Sequence, residues 1–317
     1  MRLPQHIAAR FDSNGAIFLE RELMSIDPMD YTELTSGLLA RKLFPLVENV
    51  APLDTSYNYR MWTTQGQARV RGPGSNTGGK ITVTRKEKIS PIETIDVEFG
   101  WPIDDIQRAA QKGIKLEQAT IQGAMMVVAR RIDDMISFGN PGTDCLGMLN
   151  NPNVVDSTPV TKTGSGTAWS EVAKKSELLA DLKTIVNDAR ARLKQASASY
   201  AGMPAFDQWV IALPTFHYGL VDEPRSDQSD TTVIEMAKKS KFVEDIVEWN
   251  QLDEADGGDP MILAYPRNGM CLGAIVSREF EQRAPQEVGH DINIPAVASC
   301  GGGVMRYPVA VGTMKNV

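Results

Sequence analysis

The chain has 317 residues, 42% of them hydrophobic and 23% charged, which excludes a disordered chain and a coiled coil and gives enough length for one large domain or two modest ones. Forty acidic side chains against 33 basic ones leave a net charge of −7, so the surface as a whole is no nucleic-acid clamp. No apolar run approaches the roughly 18 residues of a membrane span, and the opening Met1-Arg-Leu-Pro-Gln-His6 lacks a signal peptide's apolar stretch, which places synthesis in a cytoplasm with no membrane partner.

Residues 1–54 read as an arm with one or two short helices. Asp30 or Thr32 can cap a helix through Tyr31–Leu43, with Leu34, Leu38, Leu39 and Leu43 on one face and an end before Pro45. Val47–Tyr59 then turns extended. Residues 55–92 read as a long β-hairpin: Tyr57–Trp62 is strand-like, Gln65–Lys80 is rich in glycine, and Ile81-Thr-Val-Thr-Arg85 alternates apolar with polar. A loop this long with no core of its own must lie on something, and a monomer offers no obvious surface for it.

Ile92–Phe99 is a predicted strand. Pro102-Ile-Asp-Asp opens helical territory with acids at its positive end, and Gly113 interrupts it. From Leu116 to Phe138 the apolar period is helical through Ile121, Met125, Val128, Ile132 and Met135/Ile136, until Gly139-Asn-Pro-Gly stops it. Thr158–Thr167 reads as a Thr/Gly/Ser-rich linker. Thr167 or Ser170 caps an amphipathic helix to about Ala196, striped by Val172, Leu179, Leu182, Val186 and Leu193. Trp209–Leu213 is a strand closed by Pro214, and Thr215–Leu220 and Thr232–Lys241 are short helices. Met261–Tyr265 and Cys271–Val276 are apolar strands joined by a Pro-Arg-Asn-Gly turn, and Asp291–Ile294 and Val304–Val311 give further strands around Gly301-Gly-Gly. The mixed order fits an α+β fold better than a regular βαβ array.

Charge is unevenly spread. Arg60, Arg69, Arg71, Lys80, Arg85, Lys86 and Lys88 share the hairpin with one acid, Glu87, for +6, leaving −13 on the remainder. Phe242–Pro266 carries Glu244, Asp245, Glu248, Asp253, Glu254, Asp256 and Asp259 with no Lys or Arg. Both are readable as solvated surfaces; the sharper reading is that the basic hairpin of one copy meets acidic surface on another. Single-strand binding by the hairpin is poorly supported, because beyond Tyr59 its one aromatic is Trp62.

Enzymatic motifs fail on inspection. Gly74-Ser-Asn-Thr-Gly-Gly79-Lys80 begins like a phosphate-binding loop, but Ile81 stands where Ser or Thr must reach magnesium, and a strand-like segment follows. Asp253-Glu-Ala-Asp256-Gly-Gly-Asp259 lacks the spacing and terminal Glu of a calcium loop; a solvated turn, or a ring of loops near a symmetry axis, explains it better. Cys145, Cys271 and Cys300 form neither a disulfide scaffold nor a metal pair. His6, His217 and His290 are scattered; His217 reads as a surface or satisfied histidine, and the adjacent His290-Asp291 cannot face each other as base and orienter. Asp104-Asp105 and Asp133-Asp134 point about 100° apart on helices, which suggests no paired-carboxylate chemistry, and Met125-Met126 reads as core. No catalytic residue, cofactor or metal site is expected.

Phe18-Leu-Glu-Arg21-Glu-Leu, Ala40-Arg-Lys-Leu-Phe-Pro45-Leu, Tyr57-Asn-Tyr59 leading through Gly66, Phe138-Gly139 followed by Leu146-Gly-Met-Leu-Asn150-Asn-Pro152, and Arg306-Tyr-Pro308-Val-Ala occur in an order that resembles the major capsid proteins of tailed bacteriophages, with the Hong Kong 97-type fold, in an encapsulin-like branch. The resemblance covers nearly the whole chain. It implies an N-terminal arm (1–54), an extended loop (55–92), a peripheral domain with a long spine helix (93–160), an axial domain (161–285) and strands returning to the peripheral domain (286–317). It further implies pentamers and hexamers of an icosahedral or elongated head around double-stranded DNA, in a virion assembled in the bacterial cytoplasm, with portal, scaffold or decoration proteins as further partners. An encapsulin-type shell around a cargo enzyme is the alternative.

Overall fold

A computed structural model describes residues 37–66, 68, 70, 79–112, 116–164, 166–170, 173–199, 206, 208–226 and 229–317. In chain order, helix α1 (Ala40–Leu43) is followed by strands β1 (Ser56–Gly66), β2 (Ile81–Pro91) and β3 (Glu93–Pro102) and helices α2 (Ile103–Lys112) and α3 (Leu116–Phe138). Next come β4 (Gly139–Asn140), β5 (Cys145–Leu146), β6 (Val155–Ser157), α4 (Lys175–Ser199), β7 (Trp209–Leu213) and α5 (Thr215–Asp222). After them run β8 (Pro224–Ser226), β9 (Ser229–Thr232), α6 (Val233–Lys238), β10 (Val243–Glu248) and β11 (Ile262–Tyr265). The chain closes with β12 (Leu272–Gln282), β13 (Gln286–Val288), β14 (Asp291–Met305) and β15 (Gly312–Met314).

Two sheets organise the chain. One is antiparallel and centred on β14, with β3 along one side and β12 and β13 along the other. The second has the order β10-β7-β11-β15-β6, with β10 parallel to β7. All five residues of β7, Trp209-Val-Ile-Ala-Leu213, are buried, the pattern of a strand covered on both faces.

Helix α3 occupies the bounds its periodicity predicts, and its expected stripe is on the buried side except at Met125, where Ala124 takes the buried position. Ala124, Val128, Ile132, Met135 and Ile136 are buried, whereas Met125, Met126 and Val127 are 47%, 40% and 59% exposed. Small Ala124 packs with Phe99, Ile294 and Ala296 of the antiparallel sheet, so helix and sheet approach closely at the position where Met125-Met126 was expected as core. Gly139 ends the helix with φ +69; a Cβ there would stand 2.1 Å from the Cys145 carbonyl oxygen. The segment after it folds back through Asn150, whose Oδ1 accepts the Gly147 N–H at 2.7 Å and whose Nδ2 bonds the Phe138 carbonyl.

Several expected elements are corrected. The helix expected over Tyr31–Leu43 is helical over Ala40–Leu43, Gly37–Leu39 are not helical, and residues 31–36 lie outside the described residues. The helix expected from Thr167 or Ser170 begins at Lys175: Glu177 takes up the Lys174 N–H at 3.1 Å, as an acid in the first turn does. The Thr158–Thr167 linker is tied down rather than free. Lys162 Nζ meets Asp181 Oδ2 at 2.6 Å with both side chains fully buried, and Asp181 also accepts from the Val160 N–H and Trp169 Nε1. The strands expected at Met261–Tyr265 and Cys271–Val276 join different sheets; the strand expected at Asp291–Ile294 runs on as β14 through Gly301-Gly-Gly to Met305, and the one expected at Val304–Val311 is strand only at Val304-Met305, because Pro308–Ala310 forms a 3-10 turn. Gly302 has φ +68 in a register shift opposite Ile275/Val276, and a Cβ there would meet the Leu146 carbonyl oxygen at 2.7 Å.

Pairing in the two sheets crosses between residues 161–285 and 286–317. Strand β12, inside the first range, pairs with β14, while β15, inside the second, pairs with β11 and β6. Short strands that switch sheets carry no local signal of their destination.

The segment around α1 straps the two sheets to α3. Ala40 N–H donates to Asp133 Oδ1 at 2.9 Å, and burial raises that carboxyl's pKa. Phe44 lies between Trp249 and Tyr265, with ring centroids 5.5 and 4.9 Å away. Tyr265 Oη donates to the Leu43 carbonyl at 3.2 Å, Pro45 and Val47 exchange backbone bonds with Ala274, and Arg41 pairs with Glu279 on β12.

Candidate assembly surfaces

The β1–β2 hairpin pairs in continuous antiparallel register from Ser56↔Pro91 to Gly66↔Ile81. Alternation therefore splits it into two faces. Tyr57, Tyr59, Met61 and Thr63 share one face with Ser90, Lys88, Lys86 and Thr84; Asn58, Arg60, Trp62 and Thr64 share the other with Ile89, Glu87, Arg85 and Val83.

The hairpin root is held on β14. Arg306 Nη2 donates to Tyr57 Oη at 2.8 Å, and its guanidinium lies 5.7 Å from the Tyr57 ring centre. Tyr59 Oη reaches the Met305 carbonyl at 3.4 Å, and Ser90 Oγ the Gly301 carbonyl at 3.4 Å. Beyond the root the ribbon is open: Trp62, Ile81, Val83 and Ile89, all on the second face, are 65%, 65%, 55% and 69% exposed. The alternation read in Ile81–Arg85 is real, and its apolar row faces away from the subunit's own core.

The five basic residues that are described are not one patch: Arg60 and Arg85 share the second face, Lys86 and Lys88 the first. Arg60 Nε contacts Glu87 at 3.1 Å, Arg85 also pairs with Glu87, and Arg85 lies over the Trp62 ring at 5.8 Å. The bonded Arg85 guanidinium holds the Glu87 carboxyl below the usual carboxylate range. Lys80, Lys86 and Lys88 are exposed, whereas Arg69 and Arg71 lie outside the described residues.

The acidic run is likewise divided. Asp245 pairs with Lys238 at 2.7 Å, Asp253 Oδ1 accepts the Thr215 N–H at the start of α5 at 2.8 Å, and Asp256 pairs with Lys315 at 2.9 Å. Those three carboxylates serve their own subunit. Glu244, Glu248, Glu254 and Asp259 are exposed, the first two on the edge strand β10. Sequence reasoning counted charges and missed these internal pairings, because their partners Lys238, Thr215 and Lys315 are local only in three dimensions.

Residues 71–78 of the glycine tip lie outside the described residues. His217 is neither at the surface nor satisfied: it is 2% exposed against Trp169 and Phe216, its Nδ1 has no hydrogen-bond partner, and burial lowers its pKa to about 4. His290 is an exposed turn residue whose carbonyl accepts the Ile103 N–H. Asp133 and Asp134 both face Gln251 Nε2, at 3.4 and 3.2 Å. Among the described residues, no group of three or more His, Cys, Asp or Glu is arranged to hold a metal, and no helix is long and apolar enough to cross a membrane.

The profile of the major capsid protein family matches residues 66–315. The fold is similar to that of the capsid of Myoviridae phage XM1, at 16% identity and a TM-score of 0.76, covering 94% of this chain and 98% of that one. The capsid of a native GTA particle (12% identity, TM-score 0.64, 92% and 94% covered) and Mycobacterium phage Che8 (14%, 0.56, 92% and 96%) share it. No curated protein sequence matches the chain. A family match over most of its length, joined to an exposed ribbon, a long helix on an antiparallel sheet and a second sheet beyond it, places the chain: it belongs to the major capsid protein family, a structural shell protein built on the Hong Kong 97-type α+β fold.

Proposed function

We propose that copies of this chain assemble as pentamers and hexamers into a closed head around double-stranded DNA in the bacterial cytoplasm, with the hairpin of each subunit lying across a neighbour. The observation that carries the reading is the uncovered row of Trp62, Ile81, Val83 and Ile89. A two-stranded ribbon is marginal by itself in water, and an exposed apolar face on one is an invitation to pair. Laid on a second copy, the row loses water and the ribbon gains a second layer. Many such modest contacts add up around a closed shell. In this reading the sheet centred on β14 with α3 is the peripheral domain and the five-stranded sheet is the axial domain. An acidic subunit fits the task, because a container must confine DNA without gripping it.

The test is expression of the chain, sizing chromatography and electron microscopy of the large fraction, with extraction of its contents. Closed shells that copurify with DNA support the head; shells filled with a single protein support an encapsulin-type compartment instead. Deleting residues 69–80 is expected to abolish shells while leaving a folded subunit. Shells at normal yield from that deletion would remove the hairpin from the assembly contact.

A further inference from the structure

We propose that the five-stranded sheet makes a head-to-tail contact between copies, in which a cleft carrying Lys241 and Arg267 on one subunit receives the Glu254–Asp259 loop of the next. The inference rests on the shell reading above and gives the acidic run a mate other than the hairpin.

The two features occupy opposite ends of one sheet. Strand β7 runs from Trp209, paired with Val243, to Leu213, paired with Glu248. At the Trp209 end, Gln208, Lys241, Glu244, Arg267 and Asn268 line a cleft of about 410 Å³. At the Leu213 end the chain passes through Trp249, whose N–H bonds the Leu213 carbonyl, into the loop that precedes β11. Five strand residues separate the ends by about 17 Å. Cleft and loop therefore cannot meet within one subunit. A contact between unlike surfaces on opposite ends is heterologous, and when its rotation closes it generates a ring.

Each feature is built for the other. The loop is fixed at its base, where Asp253 accepts the Thr215 N–H, Asp256 pairs with Lys315, and Asp256 and Asp259 exchange backbone hydrogen bonds. Its tip is Gly257-Gly258, with φ +69 and +109, and a Cβ added at either would meet nothing within 4 Å. A tip standing in open space on a fixed base is preorganised to insert, so little ordering entropy is lost on contact. Glu254 and Asp259 flank that tip and are exposed, while the neighbouring acids are occupied at home. In the cleft, Lys241 and Arg267 are exposed and make no ion pair among the described residues. Arg267 spends one Nη on the Lys42 carbonyl at 2.9 Å, which fixes the guanidinium plane and leaves its other donors for a carboxylate. Glu244 at the same cleft leaves the set of three with a single net positive charge, so the contact selects for partner geometry and is sensitive to salt.

Charge exchange tests the pairing under conditions where the wild-type chain forms shells. Lys241→Glu alone and Glu254→Lys alone are each expected to lower shell yield by about ten-fold, and the two together to restore most of it. Lys241→Glu leaves the Arg267–Lys42 bond in place, and thermal melting of each subunit reports whether it is folded. Independently, Lys241→Cys with Glu254→Cys is expected to give intermolecular disulfides under mild oxidant, ending in a closed ring species on a non-reducing gel. Wild-type yield from both single variants, or no crosslink in assembled shells, overturns the contact while leaving the shell reading intact. Rescue of Glu254→Lys by Lys86→Glu with Lys88→Glu, in place of Lys241→Glu, overturns it in favour of the hairpin. Failure of the wild-type chain to form any shell overturns the shell reading and this contact with it.

Discussion

Strands β2 and β7 are both rich in β-branched and apolar residues, yet every residue from Ile81 to Ile89 of β2 is exposed and every residue of β7 is buried. Strand propensity is therefore the same statement in both places, and burial is decided by what lies above and below. Strand β7 sits inside a sheet, between β10 and β11, in the main core. Strand β2 has one ladder partner, β1, and only its last residues approach β14. The contrast separates two kinds of information. The five-stranded region holds much of the subunit's buried core; the hairpin, on the proposed reading, carries the subunit's contact with its neighbour.

The separation predicts where substitutions are felt. The largest effect on the isolated subunit is expected at the buried Lys162–Asp181 pair, which carries both side chains out of water together with four further hydrogen bonds to Asp181 and Lys162 partners. Asp181→Ala strands a buried ammonium and should cost about 3–5 kcal/mol in urea denaturation, whereas Lys162→Met with Asp181→Asn should cost less, because no charge is stranded and the amide oxygen still accepts the Val160 N–H. Equal losses from the single and double changes would mean that packing, not the stranded charge, is responsible. Ile211→Ala, in the middle of β7 and fully buried, comes next at about 2–5 kcal/mol, set by how far the site can collapse.

Those two sites also show what a sequence reveals of itself. The bounds of α3 and the β7 strand were legible because hydrophobic period and glycine stops are local signals. Lys162 was not, since a lysine in a Thr/Gly/Ser-rich stretch looks solvated until Asp181 is brought to it by a helix starting a dozen residues later. The exchange of Ala124 for Met125 on the buried face of α3 escaped for a similar reason: the two are adjacent, and only close approach to Phe99 and Ile294 selects the smaller side chain. Of the assembly surface, the existence of the hairpin and its charge excess were readable. Which face carries the apolar row was not, because it depends on Tyr57 and Tyr59 being the residues held on β14 by Arg306 and the Met305 carbonyl.

Acid should test the core region through His217. His217 is buried and its pKa falls from 6.5 to about 4, by burial first, with Lys162 acting in the same direction and Asp253 opposing. Between those values the unfolded chain binds a proton that the folded chain refuses. Stability is thus unaffected above about pH 6.5, declines as pH falls from there to about 4, and levels off below, for a total on the order of 3 kcal/mol. His217→Gln should flatten that part of the urea-midpoint profile; an unchanged slope would assign the acid sensitivity elsewhere. A smaller effect belongs to the strap. Asp133→Asn keeps an acceptor for the Ala40 N–H and relieves a buried charge, so it should be near neutral at pH 7, while Asp133→Ala leaves that N–H unpaired at a cost of about 1–3 kcal/mol. Hydrogen exchange at Ala40 distinguishes the two.

The smallest effect on the subunit is expected where the effect on the shell is large. Val83→Thr keeps a β-branched side chain of nearly the same shape in β2 and removes an apolar surface that is already 55% exposed. Trp62→Ser removes a larger one from the same face, together with the ring under Arg85. Neither change opens a cavity or strands a buried polar group, so each should move subunit stability by no more than about 0.5 kcal/mol. If the uncovered row is what a neighbour covers, assembly yield must nevertheless fall, and fall further for Trp62→Ser than for Val83→Thr, in the order of apolar area withdrawn. Melting temperature and shell yield measured on the same preparations would then move independently. A hairpin whose substitutions shift both together would be part of the subunit's own fold, and the division drawn between β7 and β2 would fail.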